Sequence, residues 1–161
     1  MAEPKKSNAV MWVVGCIGLF FVGIVVIGIL AAIAIPAFVN YARRAKTAEA
    51  QSNVRAITMG VQTYCASESA LPAAIAPAFV PDAARHAVPL DPAWQSVGFA
   101  SADPVYYAYA IERPDASRAV VVAEGDLDGD GERSRFEVTC TFDPSTSECT
   151  CSPIAVTNEL E

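Results

Sequence analysis

SNAVMWVVGCIGLFFVGIVVIGILAAIAIPAFVNYA, residues 7–42, decides the fold. No charged residue occurs between Lys6 and Arg43, so the stretch is far too apolar for a soluble surface helix. As an α-helix rising about 1.5 Å per residue it spans on the order of 50 Å, more than the roughly 30 Å of a bilayer core. The surplus tilts or emerges, and the first polar side chains after Ile35 place the exit near Asn40. A secretory signal peptide has an apolar core of only about 7 to 15 residues; this segment is too long for one and reads as an anchor. Gly18, Gly23, Gly28 and Ala32 would let neighbouring helices approach closely. Pro36 removes one backbone donor and should loosen the helix locally.

Past the exit the period changes. Ala50, Val54, Ile57, Val61 and Tyr64 recur in steps of four and three, one apolar stripe that needs a sheet to cover it. Between Arg43 and Gln51 the chain is polar and alanine-rich, with Lys46 and Glu49 spaced as an i, i+3 pair. The segment 70–104 is rich in proline and alanine and reads as a surface crossing. Within it Asp91 and Pro92 offer an N-cap and first helical position, and Gly98 a stop, for a short helix through Trp94. Trp94 and Phe99 are expected to plug the core, and the lone His86 to lie at the surface. Strands are predicted over Val105 to Ile111, Ala119 to Glu124 and Arg135 to Phe142, with a turn at Pro114 and Asp115 and a short last strand near Ile154 to Val156. The sum is an α+β chain: a cytoplasmic tail (1–8), a transmembrane half-helix (9–40), an amphipathic half-helix (41–69), the crossing (70–104), and an antiparallel sheet with a C-terminal tail (105–161).

The stretch GILAAIAIPAFVNYARRAKTAEAQSNVRAI, Gly28 to Ile57, resembles the second half of the N-terminal helix of type IV pilins and of the pseudopilins of type II secretion systems. The resemblance implies a long curved helix, in the membrane before assembly and in a filament core afterwards, whose second half packs on an antiparallel sheet. It implies other pilin-like subunits as partners. Aligned on GILAAIAIP, Val14 stands where that family has its leader glycine, Gly15 at its phenylalanine and Leu19 at its glutamate. These departures remove the recognition site for leader cleavage and N-methylation, and imply an uncleaved relative. A second local likeness is VVGC, Val13 to Cys16, which loosely resembles a lipoprotein cleavage box; the apolar run continues long after it, and the plain reading of Cys16 is a small helix residue.

A formal charge of -7 repels a polyphosphate backbone, so no nucleic acid is expected as a partner. Lys5 and Lys6 precede the span and Arg43, Arg44 and Lys46 follow it, so basic residues alone do not orient it. The four cysteines outside it do, because paired thiols favour an oxidising compartment on the C-terminal side, with the N-terminus in the cytoplasm of a bacterial cell. Cys149 and Cys151 are too close to bond each other without strain, so each is expected to pair with Cys65 or Cys140, in either of two ways. A zinc site is the rival, though the usual C-x2-C knuckles are missing.

The sharpest chemical motif is DLDGDGERSRFE, Asp126 to Glu137. It fits the calcium-loop pattern, with Asp126, Asp128 and Asp130 at alternate positions, Gly131 at the turn, Glu132 giving a main-chain carbonyl and Glu137 at the bidentate place. The alternative is a solvated Asp/Gly hairpin loop without metal. No triad, dyad or cofactor loop points to an enzyme. Two functions follow: a pilin-like structural subunit, or an uncleaved membrane-tethered binding module that does not polymerise.

Overall fold

The computed structural model describes residues 8–89 and 91–160; apart from Asn8, the expected cytoplasmic tail lies outside them. Helix α1, Asn8–Glu68, runs without a break through Pro36. The chain divides into two compact units, one ending at Tyr41 and the other beginning at Ala42. In the first, every large apolar side chain from Met11 to Val39 is exposed. By length and composition α1 can cross a membrane, and none of its most apolar window is buried within the chain. A surface of this kind is tolerated only where lipid or other apolar helices replace water.

The second unit is a helix laid on a sheet. Strands β1 (Ala108–Asp115), β2 (Arg118–Gly125), β3 (Ser134–Asp143) and β4 (Glu148–Cys151) form an antiparallel meander, and β5 (Ala155–Thr157) also pairs with β3. Alternation puts Tyr109 and Ile111, Val121 and Ala123, and Phe136, Val138 and Cys140 into the core. The stripe of α1 closes that core through Ala50, Val54, Ile57, Val61 and Cys65, all fully buried, while Tyr64 is only half-buried at its rim. The α+β architecture read from the sequence is therefore the observed one.

Three details depart from the sequence reading. First, β1 starts at Ala108 rather than Val105 and runs on to Asp115. Val105 makes only an isolated bridge to His86, and the Tyr106 N–H turns away to donate to Glu49 Oε1 at 2.8 Å. Pro114 is accommodated because β1 is an edge strand whose register shifts between Glu112 and Asp115. Second, β4 was not expected, being only four residues long; it is fixed to β3 by the Cys140–Cys151 bond between directly opposed residues. Third, Lys46 and Glu49 both engage Tyr106, Lys46 Nζ lying 4.5 Å from its ring centroid.

The tail from β4 to β5 follows one edge of β3 with an irregularity between. Thr139 pairs with Ser152 through Ser152 N–H to Thr139 O (2.9 Å) and Thr139 N–H to Ser152 Oγ (3.1 Å), and Glu137 pairs with Ala155. Two residues, Pro153 and Ile154, thus oppose Val138 alone, a bulge that absorbs the proline's missing donor.

The crossing carries α2, Pro92–Ser96, capped by Asp91, whose side chain accepts from Ala93 N–H. Trp94 and Phe99 are buried edge to face, with ring centroids 5.2 Å apart, as expected of core plugs. His86 is half-buried rather than plainly at the surface, stacked on Phe79 and 2.8 Å from Asp82. Gly60 lets this crossing approach: a Cβ there would sit 1.8 Å from the Val97 carbonyl oxygen. Arg113 ties the segment just after α1 to the β1–β2 hairpin, donating to the carbonyls of Pro72 (2.7 Å), Ala116 (2.8 Å) and Arg118 (3.0 Å).

Candidate functional site

The acidic loop joins β2 to β3, and its local structure follows from its glycines and first aspartate. Asp126 is buried, with one oxygen accepting from Gly129 N–H (2.6 Å) and the other from Gly131 N–H (3.1 Å). Gly129 and Gly131 take φ of 78° and 93°, which a side chain would resist. Asp130 Oδ1 accepts from Glu132 N–H at 2.8 Å, and Leu127 is buried beneath the loop. The chain is thereby folded back so that Asp126, Asp128 and Asp130 each offer an oxygen within 4.8 Å of the others. This cluster could hold a metal ion.

Glu137 does not join it. The strand resumes at Ser134, which carries Glu137 along the outer face of β3, where its carboxylate accepts from Arg135 Nε at 3.0 Å. A helical calcium loop needs the chain to curl back after its glycine; an extended strand cannot bring the twelfth residue round. Arg135 also pairs with Glu124 at 2.6 Å, making Glu137 part of an outer-face ion network. The exposed Glu132 carboxylate is likewise outside the cluster of three. Arg133, next in line, pairs with Glu124 at 3.3 Å.

A residue the sequence did not signal completes the site. Arg43 Nη2 donates to Asp128 Oδ2 at 2.6 Å, and Arg43 Nη1 to the Leu160 carbonyl at 3.1 Å. Both side chains of the ion pair are about three-quarters covered, at 25% and 28% exposure. A cation at the loop would therefore share or take Asp128 from a guanidinium already bound there. The basic run Arg43, Arg44, Lys46 was visible in the sequence, but nothing local named a partner so distant along the chain.

The other sites fall as follows. Cys65 bonds Cys149 and Cys140 bonds Cys151, with Cα separations of 6.2 and 4.0 Å, which selects one of the two pairings left open. The first bond fastens the tail to the end of α1, and the second joins two strands. Cys16 is a free, exposed thiol within the apolar span. A Cβ at Gly18, Gly23 or Gly28 would meet nothing within 4 Å, so no contact among the described residues accounts for these glycines.

Burial raises two tyrosines over the sheet. The Tyr107 hydroxyl is pushed up to about 12 by burial, against a hydrogen bond with Ser134 that acts the other way. Tyr109 is raised by the same cause, although Asn53 Nδ2 donates to its hydroxyl at 2.8 Å. Both are packing residues with polar tips, and Gly125 makes room for the Tyr107 ring, which a Cβ would meet at 2.6 Å.

Compared with known proteins, the chain matches no protein-family model, no curated protein and no solved structure.

Proposed function

We propose that this protein is a pilin-like structural subunit of a type IV pilus or type II secretion type assembly, anchored by α1 in the bacterial inner membrane. Its N-terminus faces the cytoplasm and its head the periplasm or cell exterior. One observation carries the reading: a helix whose first half is apolar on every side goes over, after the GILAAIAIP run, into a half with one buried stripe on a small antiparallel sheet. An apolar surface on all sides serves lipid or other apolar helices, and the two disulfides suit a head outside the reducing cytoplasm. Imaging a tagged copy, with cross-linking in whole cells, tests it. Filaments, or ladders of cross-linked subunits through α1, support the subunit; a scattered membrane protein that never cross-links to itself or to similar subunits defeats it.

The second reading, an uncleaved tethered binding module, is favoured by Val14, Gly15 and Leu19 at the family's processing positions. The mass of the mature N-terminus separates the two: a start at Met1 or Ala2 with no oligomer supports the tether.

For the loop, the ion we propose is calcium, a hard cation suited to carboxylate oxygens from Asp126, Asp128 and Asp130. Its role is to brace the β2–β3 connection. A melting temperature that does not respond to calcium after chelation removes this proposal and leaves the fold untouched.

A further inference from the structure

We infer that the first turns of α1 in the head-bearing unit, Ala42 to Glu49, form a releasable neck: a segment held to the head by polar contacts that open as one unit while the rest of the head stays folded. The contacts come from three side chains. Arg43 holds both the acidic loop, through Asp128, and the C-terminal segment, through the Leu160 carbonyl. Lys46 lies over the Tyr106 ring and Glu49 accepts from the Tyr106 N–H. Beneath them the buried surface is thin, because Thr47 and Ala50 are the covered positions and neither is large. One turn farther on, Val54, Ile57 and Val61 take over, and Cys65 is bonded to the tail.

Two features make this a joint rather than a weak end of the core. The loop that Arg43 grips is internally braced by Asp126 on Gly129 and Gly131, so it keeps its shape whether or not Arg43 is engaged. At the far end the Cys65–Cys149 bond prevents the helix from leaving altogether. Local opening of this kind occurs where apolar contacts are few and polar ones hold the surface. The neck is thus the place where the head lets go of the helix that carries it, immediately after the apolar span ends.

The test is amide hydrogen exchange on the full-length protein in detergent, with chelator present, so that the result is independent of the calcium reading. Arg43→Gln should speed exchange of the Tyr106 N–H about tenfold, the scale of losing a charged hydrogen bond, although the acceptor of that N–H is Glu49. Cleavage by trypsin after Arg44 and Lys46 should rise in parallel, while amides between Val121 and Val138 remain far better protected than Tyr106 in parent and variant alike. Asp128→Asn, which leaves the helix sequence intact, should act in the same direction. The inference is overturned if only the 126–132 loop loosens and Tyr106 does not, since Arg43 would then be a local ion pair. It is equally overturned if Tyr106 and the sheet amides exchange with one common protection in the parent, since opening would then be global.

Discussion

The two stretches of α1 that meet the head are fastened by different chemistry. From Ala50 to Cys65 the helix presents five fully buried residues to the sheet and ends in a covalent bond. From Ala42 to Glu49 it presents Arg43, Lys46 and Glu49 to Asp128, Leu160 and Tyr106. Burial of a Val or Ile side chain is worth roughly 1.5–3 kcal/mol, whereas a hydrogen bond exchanged for one to water nets about 1 kcal/mol. The same helix is therefore firmly set at one end of the head and lightly set at the other. The difference arises from which residues recur at the inward positions, not from helix propensity.

The largest expected effect comes from unfastening the firm end. Replacing Cys65 and Cys149 by Ala together should cost about 4 kcal/mol, because the bond closes a long loop, and the Cys140 and Cys151 pair about 3 kcal/mol, because its loop is short. The separations are 84 and 11 residues. Denaturant unfolding of the two double variants against the parent measures both, and equal losses would show that loop closure is not what these bonds supply. Next, Ile57→Ala should cost about 3 kcal/mol through lost burial and the cavity left, against about 1 kcal/mol for Glu49→Ala in the neck. A neck variant as damaging as the core variant would erase the contrast.

A smaller effect separates close approach from burial. Gly60 lies on the firm stretch, yet contributes no side chain; it admits the Val97 carbonyl. Gly60→Ala must push that backbone away and should cost about 2 kcal/mol. The displacement should reach α2 and blunt the near-ultraviolet circular dichroism of Trp94, which is packed against Phe99. An unchanged aromatic signal would mean that the crossing yields at Val97 without moving α2.

What the sequence disclosed follows the same division. The apolar span, the stripe, the α2 cap and the cores of three strands were legible because each is a pattern of neighbours: a run, a period, or a Pro after an Asp. The first residues of β1 misled because Val105 and Tyr106 have the composition of a strand, while their hydrogen bonds go to His86 and Glu49. β4 was invisible since Glu148 to Cys151 is only four residues long and depends on the cysteine opposite. In the loop, the spacing correctly united Asp126, Asp128 and Asp130. It wrongly added Glu137, because a motif drawn from helix-flanked loops does not register that a strand resumes at Ser134. Arg43 was missed for a deeper reason: a long-range ion pair leaves no periodic trace, so a polar fastening is harder to read than an apolar one.

The mildest test asks whether a polar fastening beside the firm end matters as the neck does. Asp115, the last residue of β1, accepts from Arg118 Nε at 2.7 Å and from the Ser117 N–H and hydroxyl. These bonds, Arg118 first, hold its carboxyl down to about 2. A carboxyl whose pKa is lower folded than unfolded stabilises the fold above its unfolded value of about 3.9, and that contribution fades as pH falls toward the folded value. The parent should therefore melt slightly above Asp115→Asn at pH 6, with the gap closing between about pH 4 and pH 2. The group is exposed and its partners are solvated, so the gap should be small. It should also be smaller than the shift produced by Arg43→Gln, whose ion pair is three-quarters covered. If Asp115→Asn lowers the melting temperature as much as Arg43→Gln, polar contacts hold both ends of the head alike and the neck has no special standing.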